Sequence, residues 1–329
     1  MRGTHTRGRR GTWIAALSVA VLVACTAAVI IGANQWRSDE PVAAPAAPVD
    51  PGRRPWQVTL DLDTKAGYVI SAGVSDGARQ GLTVQNLAFS GKPDGVYGGE
   101  VTAFPPGTLD EQQLTVGERV NDAWYVPDFT FAEHTARDGK PWQAPAVGRP
   151  DPSGVWVVVY ADPARSVGEA AIGRDDLLRL AAAVRVGPAR DLRLPLSLGA
   201  GLPAGLDLTY VRATDQQLDR QPPTLGLSRA TREPSGAGLY ARPPGGLDVI
   251  ITTEPRNGDW DKRRPALTGP TTAGGLQAWY EQGKRLTVEA ERCVVTIESA
   301  LTRAELEKLV DRMTIGDCAD PESWIPPLS

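Results

Sequence analysis

Histidine is almost missing from this chain: 329 residues contain two, His5 and His134. A nucleophile–base–acid triad needs a histidine or a substitute base. Only His134, in the polar stretch Phe131-Ala-Glu-His-Thr-Ala-Arg-Asp138, lies beyond the N-terminal region, and no Gly-x-Ser-x-Gly elbow accompanies it. Its expected state is a solvated loop side chain. Cysteine is also scarce, with three in all. Cys25 falls in an apolar run, which leaves Cys293 and Cys318 as the only other thiols and one possible bridge between them. No CxxC or HxxxH spacing is present, so no metal site is expected. Phosphate-cradling loops are absent too, with neither GxxxxGK[ST] nor GxGxxG between a strand and a helix, and no cofactor is expected.

Positive charge is short where most of the chain lies. The first 36 residues carry four arginines and no acid, while the remainder has 31 basic and 39 acidic residues, a formal −8. That balance excludes a nucleic-acid footprint and disfavours tight adhesion to anionic headgroups. Carboxylate pairs of the sort glycosidases use exist at Asp61/Asp63, Asp175/Asp176 and Glu289/Glu291. Asp61 and Asp63 alternate with Leu60 and Leu62, the pattern of a solvent face, and Asp175 and Asp176 suit the first turn of a helix.

What the chain does have is one uninterrupted apolar run, Trp13 to Gly32, directly behind the tail MRGTHTRGRR. Twenty uncharged residues make roughly 30 Å of helix, enough to cross a hydrocarbon core. Arg2, Arg7, Arg9 and Arg10 keep the N-terminus inside, and Trp13 and Trp36 bracket the run as headgroup aromatics do. The expected layout is a basic cytoplasmic tail (1–12), a transmembrane helix (13–33) and an extended Pro/Ala-rich stalk (34–55). Two alternatives stay open. Leu22-Val23-Ala24-Cys25 resembles the bacterial lipobox, which would make Cys25 a lipidated N-terminus, and a cleaved secretory signal would leave no anchor. All three place the bulk of the chain outside the cytoplasm, in a compartment that permits a Cys293–Cys318 disulfide.

Beyond the stalk the chain repeats itself. Arg174-Asp-Asp-Leu-Leu-Arg-Leu-Ala-Ala-Ala-Val-Arg-Val-Gly187 aligns without gaps against Arg303-Ala-Glu-Leu-Glu-Lys-Leu-Val-Asp-Arg-Met-Thr-Ile-Gly316. Leu177, Leu180, Ala181 and Val184 fall at i, i+3, i+4 and i+7, and so do Leu306, Leu309, Val310 and Met313, so each copy reads as an amphipathic helix. Thr302 and Glu305 form a capping-box pattern, and Gly316 suits a C-cap. A strand-like run precedes each helix, at Val155–Tyr160 and Cys293–Ile297. Further strands are expected at 56–62, 67–72, 82–90, 98–104, 118–126, 206–213, 247–253 and 286–291. The turn signals are Lys92-Pro-Asp-Gly95 and Arg256-Asn-Gly258, and Gly98-Gly99 and Gly245-Gly246 read as turns or bulges. The expected fold class is an α+β ectodomain of two related halves, 56–200 and 201–329, each a curved antiparallel sheet with one amphipathic helix. The disulfide is expected to tie the last strand of the second half to the exit of its helix.

Tryptophan is the compositional excess, nine against four phenylalanines. Trp56, Trp124 and Trp156 sit in strand patterns and read as core. Trp142, Trp260, Trp279 and Trp324 sit in loop or tail contexts and are the candidate ligand-binding residues, since exposed indoles stack on sugar rings. The stretch between Pro127 and Ser153 reads as one long loop.

Basic tail, single span, Pro/Ala stalk and Trp-bearing outer domain together resemble the uncharacterised single-pass membrane proteins of high-GC Gram-positive bacteria. The segment Gly117-Glu-Arg-Val-Asn-Asp-Ala-Trp-Tyr-Val126 and the helix DDLLRLAAAV carry that resemblance, and it brings no catalytic residues. The expected function is a non-catalytic, membrane-anchored binding or sensing module in the cell envelope. Its partners would be the membrane, through the N-terminal helix, and an envelope protein or a glycan or lipid ligand. A lipid or lipoprotein carrier and a cell-envelope hydrolase are the alternatives.

Overall fold

The computed structural model describes residues 56–328, apart from 78, 88–97, 136–140, 162–171, 200–201, 203–204, 215–220 and 230–246. The apolar run with Cys25, the stalk, and the turns at Lys92–Gly95 and Gly245-Gly246 lie outside the described residues. Among the described residues no helix is long and apolar enough to cross a membrane.

The described chain is mostly β. In order it runs β1 (Gln57–Leu62), β2 (Tyr68–Ser75), β3 (Gln80–Asn86), β4 (Gly98–Phe104), α1 (Gln112–Thr115), β5 (Glu118–Val120), β6 (Ala123–Thr135), β7 (Pro141–Pro150), β8 (Trp156–Ala161), α2 (Arg174–Ala183) and β9 (Val184–Asp191). It continues through β10 (Leu196–Leu198), β11 (Asp207–Thr214), β12 (Thr224–Ser228), β13 (Val249–Pro255), α3 (Gly258–Arg263), β14 (Pro270–Ala273), β15 (Leu276–Glu281), β16 (Arg285–Glu289), β17 (Cys293–Ser299), α4 (Arg303–Val310) and β18 (Met313–Ile315).

Fourteen of these strands make one antiparallel sheet in the order β14-β15-β16-β17-β13-β12-β11-β2-β3-β4-β8-β7-β6-β5. From the β2–β11 seam the order reads the same in both directions: three consecutive strands, then four in reversed chain order. The register agrees with the order. On one side the partners run Gly73–Leu82–Val101–Val159–Val147–Tyr125. On the other they run Val211–Leu225–Ile251–Ile297–Leu286–Tyr280. At the seam Gly73 faces Ala213 and Val211 faces Ser75, which puts the pair Val74–Arg212 at the centre.

Both helices and two small ribbons cover the same face of this sheet. In the first half Leu177, Leu180 and Ala181 of α2 and Leu60 and Leu62 of β1 pack on Leu82, Val101, Val157 and Val159. In the second, Leu306, Leu309 and Val310 of α4 and Leu196 and Leu198 of β10 pack on Leu225, Ile251, Val295 and Ile297. A side chain buried in this way contributes about 1.5–3 kcal/mol, so the apolar stripe of each helix dominates its docking. β1 pairs with β9, the strand after α2, and β10 pairs with β18, the strand after α4. β10 precedes position 201 in sequence, yet its partner belongs to the second half.

The repeat helices are shorter than their aligned sequence. α2 stops at Ala183, and Val184-Arg-Val enters β9; α4 stops at Val310, and Met313-Thr-Ile forms β18. Val184 and Met313 are therefore strand residues and Gly187 and Gly316 are not helix caps. The β-branched residues Val184, Val186, Thr314 and Ile315 favour the ladder, and each strand has a partner ready. The capping box at α4 is present as expected, Thr302 accepting from the Glu305 backbone and Glu305 from that of Thr302.

Other differences are local. Residues 118–126 form a hairpin, because Asn121, in the left-handed region at φ 56°, turns the chain between β5 and β6. The long loop expected after Pro127 is the hairpin β6–β7, and its prolines are accommodated by breaks in register between Val126 and Phe129, opposite Pro145. Gly98 and Gly99 open β4, where a side chain on Gly98 would collide with the carbonyl of Val84. Asn257 caps α3, its Oδ1 accepting from Asp259 N at 3.0 Å and Trp260 N at 3.2 Å. A disulfide joins Cys293, first in β17, to Cys318, just beyond β18, with Cα atoms 5.0 Å apart.

Candidate functional site

The sheet face opposite the long helices carries the chemistry of the second half. Strand alternation sends Trp279 of β15, Thr287 and Glu289 of β16 and Val294 of β17 to this face, and α3 lays Trp260 across them. Trp260 and Trp279 meet edge to face, with ring centroids 5.7 Å apart at 70°. Both are buried, at 1% and 7% exposure. Structure thus moves Trp260 from an expected loop to a helix, and Trp279 from a loop to a strand.

Glu289 is a buried carboxylate held by one hydrogen-bond donor and two cations. The Trp260 indole Nε1 donates to its Oε1 at 3.1 Å, Arg256 Nε pairs with Oε1 at 3.0 Å and Arg264 Nε pairs with Oε2 at 2.9 Å. Arg264 also donates to Gln277 Oε1 at 2.6 Å and lies over the Trp279 ring, while Arg263 lies over Trp260 and pairs with Glu254. A charge taken out of water is tolerated only when paired and hydrogen-bonded, and here it is both.

Beside this cluster a groove of about 170 Å³ opens between the loop after α3 and the β15–β16 hairpin. It is lined by Ala266, Leu267, Thr268, Trp279, Glu281, Arg285 and Thr287. A shallower depression of about 340 Å³ adjoins it, sharing Glu281 and Arg285 and adding Lys284 and Glu298. Glu281 takes both neighbouring cations, Lys284 Nζ at 2.7 Å and Arg285 Nε at 3.0 Å. The Lys284 hydrogen bond, above all, holds the Glu281 carboxyl below the usual carboxylate range.

The first half has an aromatic cluster at the matching place. Trp124 pairs with Gly148 as Trp279 pairs with Thr287, and the next residue inward is Tyr125 in one half and Tyr280 in the other. Ala123-Trp-Tyr125 and Ala278-Trp-Tyr280 are the same tripeptide in the same register, a repeat legible in the sequence but not used above. Trp124 stacks obliquely on Trp156 at 5.6 Å, and Arg119 covers Trp124 as Arg264 covers Trp279. Here, however, Leu114 of α1 fills the space, so close that a Cβ on Gly148 would lie 2.3 Å from its Cδ1.

The remaining candidates lie apart. Trp324 is buried near the C-terminus, its Nε1 donating to Asp317 O at 3.0 Å. Trp142 belongs to β7, opposite Phe131, and its side chain, like that of His134 in β6, lies outside the described residues. Asp61 pairs with Arg190 at 3.5 Å, whereas Asp63 caps the turn at 64–66 and pairs with Arg185 at 3.1 Å. Asp175 and Asp176 occupy the first turn of α2. Among the described residues no three His, Cys, Asp or Glu side chains gather as a metal set would.

No protein-family model matches this chain, and no curated protein matches it either.

Proposed function

We propose that this chain is a membrane-anchored binding or sensing module of the cell envelope, non-catalytic, whose ligand occupies the groove beside Trp279. The supporting observation is the divergence of two otherwise corresponding clusters. The two halves share element order, register and the Ala-Trp-Tyr tripeptide, so we take them as copies of one ancestral unit. In one copy Leu114 over Gly148 seals the place next to the tryptophan. In the other, Thr287 stands where Gly148 does, and the place is open and rimmed by polar groups. A copy that only holds the fold together is free to fill its cavity with leucine; a copy that recognises something keeps it accessible.

The chemistry of the cluster favours binding over turnover. Glu289 is occupied by an indole and two guanidiniums, an arrangement that fixes geometry and commits both carboxylate oxygens to groups of the fold. The N-terminal apolar run and arginine-rich tail support the anchor, with the described part outside.

Titrating the full chain in mild detergent with a panel of envelope glycan and lipid fragments, followed by tryptophan fluorescence, tests this reading. A saturable change is expected, and Thr268→Trp, which fills the groove from an exposed position, is expected to abolish it. Saturable binding indifferent to Thr268→Trp would move the site elsewhere.

A further inference from the structure

The charges rimming the depression that adjoins the groove are balanced in number but not in position. Glu281, Lys284, Arg285 and Glu298 supply two carboxylates and two cations. Both cations go to Glu281, at 2.7 and 3.0 Å. Glu298 stands directly across β16 from Arg285 in register, yet no ion pair joins it to any described residue. Arg285 is turned away from it toward Glu281, so Glu298 is an exposed carboxylate on the lip of the depression with no cation on it among the described residues.

The interior of the groove makes a different offer. Leu267 and the edge of Trp279 give it apolar surface, and the hydroxyls of Thr268 and Thr287 give it hydrogen-bonding groups. Its 170 Å³ is about the size of one six-membered sugar ring. A pyranose packs its C–H faces on apolar surface and presents hydroxyls to threonines at once, which a fatty-acyl chain does not.

Resting on the binding role given to this groove above, we propose that its ligand is an amino sugar with a free primary amine, the ring lying against Trp279, Thr287 and Leu267 and the ammonium against Glu298. The exposed pairs on Glu281 are worth little individually and shape the lip rather than drive binding. An ammonium placed on the unpaired Glu298 gains a charge-assisted hydrogen bond that no protein cation contests.

Calorimetric titration of the full chain in detergent tests this with three probes: the β-1,4 glucosamine disaccharide, its N-acetylated counterpart and cadaverine. The glucosamine disaccharide is expected to bind at least about tenfold more tightly than either of the others, the loss expected for one hydrogen bond to a charged group. Glu298→Gln, at an exposed site where folding is not at stake, is expected to erase that preference, and raising the salt to weaken it. Equal binding of both disaccharides, unaffected by Glu298→Gln, would overturn the amine and leave the groove as a neutral-glycan site. Cadaverine binding as tightly as the glucosamine disaccharide would overturn the sugar. If neither disaccharide binds and Thr268→Trp changes nothing for any envelope fragment, the groove reading falls with it.

Discussion

At the scale of single residues, the indole of Trp260 is a structural donor before it is anything else. Its Nε1 is one of three groups compensating Glu289, and it is the only one of the three that is itself buried. Trp260→Phe keeps an aromatic ring against Trp279 and Val294 but removes that donor together with part of the buried ring. The expected cost is about 1–2 kcal/mol, read as a lower urea midpoint with unchanged m, because Arg256 and Arg264 remain to hold the charge. A loss below about 0.5 kcal/mol would mean that the arginines suffice. The importance of the tryptophans was legible in the sequence, since they are too many to ignore. Their roles were not, because burial depends on which face of which strand they occupy. Trp279 reads as a loop residue in the sequence, and the glycines at 274, 275 and 283 that flank the six-residue β15 obscure its strand. The tripeptide Ala-Trp-Tyr, occurring twice, was the signal that would have found it.

Elements show where local pattern was sufficient. The i, i+3, i+4 stripes of α2 and α4 needed no tertiary information, nor did the capping box, because both act within a turn or two of helix. Arg303 at the start of α4 adds one tie outward, to the hydroxyl of Thr271 on the edge strand β14, much as Arg174 at the start of α2 reaches Glu118 on the edge strand β5. The box also titrates. Hydrogen bonds from the Thr302 hydroxyl, first, and its backbone, second, hold the Glu305 carboxyl below its ordinary value of 4.5. A carboxyl depressed on folding contributes stability that is full above the unfolded value and is lost as pH falls through the folded one. The urea midpoint of the native chain should therefore fall more steeply below about pH 4.5 than that of Glu305→Gln, which has no such proton to take up. Parallel acid limbs would show that the box carries no pH dependence. Strands were less legible than helices. β7 contains three prolines, two at its ends and Pro145 opposite a break in register, which is why it can be a strand; β9 and β18 read as last helical turns, and their pairing with β1 and β10 makes them strands.

At the scale of the molecule, the matching strand order of the two halves could be suspected from the similar helix sequences, but the single continuous sheet could not, since nothing in either half announces that β2 and β11 will pair. The one covalent tie belongs to the second half alone, closing a loop of 25 residues between Cys293 and Cys318. Replacing both cysteines with serine should lower stability by about 3 kcal/mol, the chain-entropy worth of such a loop. Comparing chemical denaturation of the variant with that of the reduced native chain checks this; two unchanged midpoints would make the bridge a bystander. Beyond that bridge the last residues return to the crossing segment between the halves: Ile325 exchanges two backbone hydrogen bonds with Leu194, each 2.9 Å, and Pro327 accepts from Leu198. Trp56, where the described chain starts, accepts from Leu192 on the same segment at 2.9 Å. Both ends of the described part are thus moored to one short rope, a few residues apart. A break in residues 192–198 would therefore loosen both ends of the described chain at once.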